Sequence, residues 1–215
     1  MRRLFARFFG AGDATPLRAA RWTVIDCETS GLDAARDRLL SVGAVAVGGG
    51  RIEAGPGFSA VLRQGSPSDA ANILVHGISG EAQTNGRPAA EALRDLALFL
   101  GDTVPVAFHA PFDAAVLGRA MAAAGLRSPR RWLDAAQLAP ALFPNAAPAK
   151  GNARALENWL AEFGIECNAR HDALADAYAT AQLLLVLLCE AERQGAATAD
   201  ALLRLERSGR WIAGR

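Results

Sequence analysis

The chain has 215 residues, of which 51% are hydrophobic and 21% charged, and a formal net charge of +1. That is enough length for one well-buried domain, and the composition excludes an intrinsically disordered chain. The near-neutral charge excludes a broadly basic nucleic-acid binder, so any contact with nucleic acid must come from local patches such as Arg127, Arg130 and Arg131, with metals neutralising phosphate.

The opening Met1–Phe9 carries arginines and aromatics but no sustained apolar segment or small-residue cleavage site. It reads as a short cationic amphipathic helix and not as a signal peptide. Thr23–Glu28 is a strand running into a Thr-Ser-Gly turn, with Gly31–Arg36 as the turn itself. Leu39–Val47 is a second, β-rich run ended by three glycines, and Phe58–Leu62 a third. Short strands joined by glycine-rich turns predict a three-strand antiparallel meander.

Pro67–Val75 reads as a helix ending near His76-Gly77, and Pro88–Leu100 as a cleaner one stopped by Gly101. Val104–Phe108 is a strand, Pro111–Ala124 a helix, and Arg131–Asp134 another short strand. Pro144–Lys150 reads as a loop inside one domain. Helices are expected over Asn152–Phe163, Ala173–Arg193 and Thr198–Arg207. Strand–helix alternation after a meander predicts a mixed α/β sheet flanked by helices. The expected division is an extension over 1–20, a domain over 21–193, and a closing helix and tail over 194–215 packed on it.

Cys27, Cys167 and Cys189 are far apart and lack Cys-x-x-Cys spacing, which argues against zinc or disulfides and fits a reducing cytoplasm. The longest apolar run, Ala179–Cys189, is too short to span a bilayer, so no membrane is expected.

Chemistry concentrates in three acidic sites. Asp26 and Glu28 lie two apart on a strand and therefore project from the same face. Paired carboxylates at one strand end repel, and oxygen-preferring divalent cations would supply the missing counter-charge. Asp113 opens a helix directly after a strand, where a helix-capping charge is the simpler reading. Asp172 suits the cap of the long apolar helix, whereas Asp176 lies a turn inside it, on a face the flanking residues do not determine. His171, five residues before Asp176, could lean over a site there, since imidazole exchanges protons near neutrality.

In this order, Asp-x-Glu-Thr at 26–29, His-x-x-x-Asp at 109–113 and His-x-x-x-x-Asp at 171–176 resemble the three motifs of the DEDDh 3′–5′ exonucleases. That family has a ribonuclease-H-like fold and includes the proofreading epsilon subunit of bacterial DNA polymerase III. Val75-His76-Gly77-Ile78-Ser79 and His171–Ala177 resemble segments of the epsilon-like branch, and the likeness extends from about Trp22 to Leu188. Position 172 is Asp where the sister branch has Tyr, so the His variant is the match.

The resemblance implies a ribonuclease-H-like mixed sheet and hydrolysis of DNA 3′ ends to nucleoside 5′-monophosphates with two divalent cations, Mg2+ or Mn2+ as substitute. It implies that Asp26, Glu28, Asp113 and Asp176 hold the metals and that His171 is the general base. Thr29, Leu32, His76 and Phe112 are implied substrate contacts. Ala110 departs from the family, which often has Asn there. Single-stranded nucleic-acid 3′ ends are the implied partner, and a DNA polymerase subunit is the second partner the resemblance raises, with proofreading or repair as the role. An RNA-trimming exoribonuclease and a non-catalytic binding subunit stay open, although none of the five catalytic positions is lost.

Overall fold

A computed structural model describes residues 15–167 and 169–213 of the chain. The helix expected near the N-terminus lies outside the described residues. Strands β1 (Trp22–Thr29), β2 (Leu39–Gly48), β3 (Arg51–Ile52) and β4 (Phe58–Val61) come first, followed by helices α1 (Ala70–His76), α2 (Gly80–Thr84) and α3 (Ala89–Leu100). Strand β5 (Val104–Ala107), α4 (Ala110–Ala123) and β6 (Leu133–Asp134) lead into α5 (Ala135–Leu142), α6 (Ala147–Lys150) and α7 (Leu156–Glu162). Two long helices, α8 (Ala173–Arg193) and α9 (Ala199–Ala213), close the order.

The six strands form one mixed sheet of order β3-β2-β1-β5-β6, with β4 also on β2. β1, β2 and β4 are antiparallel, and β1–β5 and β5–β6 are parallel, so the expected meander-plus-parallel ribonuclease-H-like sheet is what forms. One detail differs: the outer edge of β2 is shared between β4 at Ser41–Ala44 and the two-residue β3 at Val47–Gly48. A two-residue strand carries no periodic signal of its own.

Alternation along β1 distributes its side chains between two cores. Trp22 and Val24 join Val45 and Val47 beneath α5, α7 and α8, while Ile25 joins Val42 and Ala44 beneath α3 and α4. β2 is buried along nearly its whole length, as befits a strand covered on both faces. Helix α8 crosses β1 and β2 with Leu183, Leu184 and Leu187 fully buried. By length and composition α8 is apolar enough to cross a membrane, a point hidden by the shorter run Ala179–Cys189. In the fold that apolarity faces the sheet.

Four further helical segments depart from the expected pattern. α5 lies where the sequence reading placed no element; Asp134 caps it, and Leu138 and Leu142 bury its inner face despite Pro140 inside the helix. α6 occupies the stretch expected as a loop, with Pro148 accepted in its first turn. α2 is only five residues long. α7 begins at Leu156, later than expected, because Asn152–Arg154 forms a turn closed by the Asn152 side chain.

The closest backbone approach in the sheet is at Gly43. A β-carbon there would stand 2.3 Å from the carbonyl carbon and oxygen of Ala173, in the first turn of α8. Gly43 is paired with Asp26 across the β1–β2 ladder, so this contact seats α8 against the acidic end of β1. Gly43→Ala is expected to lower stability by about 1–3 kcal/mol, read as a depressed melting temperature. An unchanged melting temperature would show that α8 shifts without cost.

Candidate active site

Three backbone features bring the acidic groups together at the C-terminal ends of β1 and β5. β1 carries Asp26 and Glu28 on the α8 side, continuing the face of Trp22 and Val24. α4, which follows β5 through a turn at Phe108-His109, places Asp113 in its first turn. α8, seated by Gly43, places Asp176 in its first turn. The end of a parallel strand pair is where ligands bind in open α/β sheets.

Both turns entering these helices contain a histidine in the left-handed backbone region, His109 at φ 73° and His171 at φ 64°. That conformation is uncommon for any residue but glycine, and each is held by a buried carboxylate. The His109 N–H donates to Asp134 Oδ1 at 3.2 Å, and the His171 N–H donates to Asp176 Oδ2 at 2.9 Å. Asp134 also accepts from Ala136 N–H at 3.1 Å, so it is a structural acid that joins the α4 turn to α5. Asp172 caps α8 by accepting from Ala175 N–H at 2.9 Å, as its position suggests.

A cleft of about 670 Å³ runs over this end of the sheet. Asp26, Glu28, Asp113, His171 and Asp176 all line it, so the five implied catalytic residues converge. Ligand atoms of Glu28, His171 and Asp176 lie within 4.8 Å of one another, an arrangement suited to a metal ion. His171 is exposed at the cleft rim, whereas Asp113 is only 5% exposed.

The carboxylates raise one another's proton affinity. Burial pushes Asp26 well above the usual carboxylate range, and the charges of Asp113, Glu28 and Asp176 add to the effect, opposed by Arg170. Glu28 is raised to about 7, chiefly by burial and then by Asp176 and Asp172. Asp113 is raised to about 8 by burial, against the Cys27 thiol and backbone N–H groups that stabilise its charged form. A cluster that holds protons this tightly lacks positive charge. Its oxygen donors suit hard divalent cations, and so does that deficit.

The implied substrate contacts divide. Leu32, 93% exposed, and Phe112 line the cleft. Thr29 does not: it is buried, its hydroxyl donates to Gly31 O at 2.6 Å, and its carbonyl accepts from Asn72 Nδ2 at 2.9 Å. His76 is 6% exposed and also lies outside the cleft lining. Ile78 N–H donates to its Nδ1 at 2.9 Å, so Nε2 carries the proton and donates to Asn72 Oδ1, also at 2.9 Å. Its proton affinity is lowered by burial, consistent with a neutral ring. The arrangement makes His76 a brace that ties α1, through Asn72, to the end of β1.

Arg170 and Cys27 escape the sequence reading of the site, and His109 enters it only through its motif. Arg170 bonds Asp176 Oδ1 and faces Glu157 at 3.8 Å, placing a guanidinium beside the acidic cluster. Its only sequence signal is adjacency to His171. Cys27 faces the α4 side of the sheet, where its thiol favours the charged form of Asp113, a consequence of strand alternation that its type does not advertise. His109 Nε2–H donates to the Arg154 carbonyl, 2.7 Å away, closing the cleft wall against the α6–α7 loop.

The exonuclease family model named for RNase T matches residues 23–184. A DNA polymerase III subunit epsilon-like protein of Rhodobacter capsulatus is 35% identical over 193 residues, covering 88% of this chain and 27% of that protein. A PolC-type DNA polymerase III of Bacillus subtilis is 31% identical over 183 residues, covering 83% of this chain and 12% of that protein. The chain thus spans about a quarter or less of these relatives' length. Among solved structures, Escherichia coli exonuclease I in complex with a dT13 oligonucleotide has a TM-score of 0.69 at 18% identity, covering 81% of this chain and 42% of that one. Exonuclease X in complex with 5′ overhanging duplex DNA has a TM-score of 0.63 at 22% identity, covering 86% and 99%. At these identities the structures speak for the fold.

Proposed function

The chain belongs to the RNase T exonuclease family, and from that premise we propose that it is a metal-dependent 3′–5′ exonuclease that releases nucleoside 5′-monophosphates from single-stranded or frayed DNA. The observation that carries the reading is the convergence of Asp26, Glu28, Asp113 and Asp176 in one cleft, with His171 at its rim. The four carboxylates would hold two divalent cations, magnesium with manganese as substitute, which when bound supply counter-charge to the scissile phosphate.

His171 takes a proton from the attacking water. The water oxygen bonds to phosphorus and the bond to the 3′ oxygen of the penultimate nucleotide breaks, that oxygen taking a proton from solvent. The shortened strand keeps a 3′-hydroxyl, and the released nucleotide keeps its phosphate on the 5′ oxygen. Leu32 and Phe112 flank the terminal base, Phe112 offering a ring for stacking. Thr29 and His76 act behind them by holding the strand end and α1 in place.

DNA is favoured over RNA because relatives at 35% and 31% identity are DNA polymerase III proteins, and the same names support a proofreading or repair role. Residues 21–193 are taken as the exonuclease domain, with the segment from 194 packed on it through α9 against α5.

The test is digestion of 5′-labelled single-stranded DNA, and of RNA of the same sequence, with magnesium, manganese or EDTA. The expected result is a ladder shortening from the DNA 3′ end that EDTA abolishes. A ladder on RNA alone would move the protein to RNA maturation, and no shortening by folded, metal-supplied protein would remove the exonuclease reading.

A further inference from the structure

The arginines at 127, 130 and 131 are unused by the chemistry above, and the fold gathers them around a groove of about 830 Å³ beside α4. Val104, Leu126 and Pro129 give it an apolar floor, and no acidic residue is among its lining. Arg127 and Arg130 are exposed and, among the described residues, have no ion-pair partner. Arg131 is held in place by Asp200 of α9 at 3.1 Å. The groove opens at the start of β5, whereas the catalytic cleft lies past its end, roughly 10 Å further along the strand.

A second depression of about 610 Å³ lies between them. It shares Arg130 and Arg131 with the groove and adds Trp132, Arg207 and, from the α4 N-terminus, Pro111. Its acidic lining residue, Glu206, is 2% exposed, so the open surface there is set by the arginines. Pro111 adjoins Phe112, which lines the catalytic cleft, so the second depression and the cleft flank the same first turn of α4. In a chain of net charge +1, a path bearing Arg127, Arg130 and Arg207 beside the Asp200-paired Arg131 is a local excess of positive charge.

We propose that this path binds the phosphodiester backbone of the nucleic-acid strand on the 5′ side of the terminus held in the cleft. Charge complementarity and the shared first turn of α4 beside the cleft carry the assignment, and Trp132 adds a stacking surface part-way along the path. The inference rests on the exonuclease reading for which end of the strand lies in the cleft.

The experiment measures binding of a 5′-fluorescent single-stranded DNA of about 16 nucleotides, in EDTA, across a series of salt concentrations. Arg127→Ala combined with Arg130→Ala is expected to weaken binding about tenfold at low salt and to flatten the slope of log affinity against log salt by about 1.4, about 0.7 for each lost phosphate contact. The Arg127→Lys, Arg130→Lys protein, which keeps both charges, is expected to retain the wild-type slope. Equal slopes and affinities for wild type and the Ala pair would overturn the proposal, as would failure of wild type to bind. Wild type that binds with the expected slope yet does not shorten the strand when magnesium is added would remove the exonuclease reading and leave the path standing.

Discussion

Asp26→Asn is expected to lower nucleotide release by about three orders of magnitude, because it removes the carboxylate in closest electrostatic contact with the other three and with it several kcal/mol of cation-borne stabilisation. The same substitution is expected to make the cation-free protein less sensitive to pH. In an unfolded chain carboxylates ionise near pH 4, whereas in the fold Glu28 and Asp113 hold protons up to about 7 and about 8, and Asp26 is raised as well. The folded state therefore binds more protons across that interval, so stability falls as pH rises from about 4 to about 8. In EDTA the wild-type melting temperature should decline over this window, and saturating magnesium should abolish the decline. Asp26→Asn should show a shallower decline in EDTA. A wild-type melting temperature that rises with pH in EDTA would contradict the charge-deficient cluster from which the cation sites are argued.

His171→Ala is expected to cost about two to four orders of magnitude in turnover while leaving cation affinity unchanged. The reason lies in its placement: its backbone N–H is fixed by Asp176, its left-handed turn projects it from the start of α8, and its ring is exposed at the cleft rim. Because its ring nitrogen also lies within 4.8 Å of ligand atoms on Glu28 and Asp176, a direct metal ligand is the competing role. A titration of activity against magnesium separates the two. A loss of turnover at saturating magnesium with an unchanged midpoint fits a proton acceptor. A midpoint shifted to higher magnesium, with turnover restored at saturation, would make His171 a ligand.

Local patterning made much of this legible. Period-two alternation is enough to put Asp26 and Glu28 on one face of β1, and the burial of Trp22 and Val24 on that face bears this out. The Gly77 end of α1 and the Gly101 stop of α3 follow from ordinary capping chemistry, whereas α1 starts at its Asp69 cap, two residues later than the expected Pro67. Where the local signal conflicted, as at Pro140 in α5, burial of Leu138 and Leu142 against the core outweighed it. His76 shows the opposite limit. Its Val-His-Gly-Ile setting is easy to see in the sequence, but whether the ring meets the cleft or the interior depends on Asn72, Ser68 and the backbone of Ile78.

By itself, then, the sequence determined the strand order of the meander, the residue types of the four carboxylates and their histidine, and the order in which they occur. These rest on short-range periodicity and on side-chain chemistry that no neighbour alters. Only the tertiary structure decided which face of α8 Asp176 occupies, since that phase is set by the backbone of Ala173 closing on Gly43, some 130 positions away in the chain. It alone turned Cys27 toward Asp113, brought Arg170 onto Asp176, and gathered the arginines of the α4–β6 loop against α9. The Cys27–Asp113 and Arg131–Asp200 pairings join elements far apart in the chain, whose meeting is governed by packing on the two faces of one sheet, and packing of that kind is a property of the whole chain.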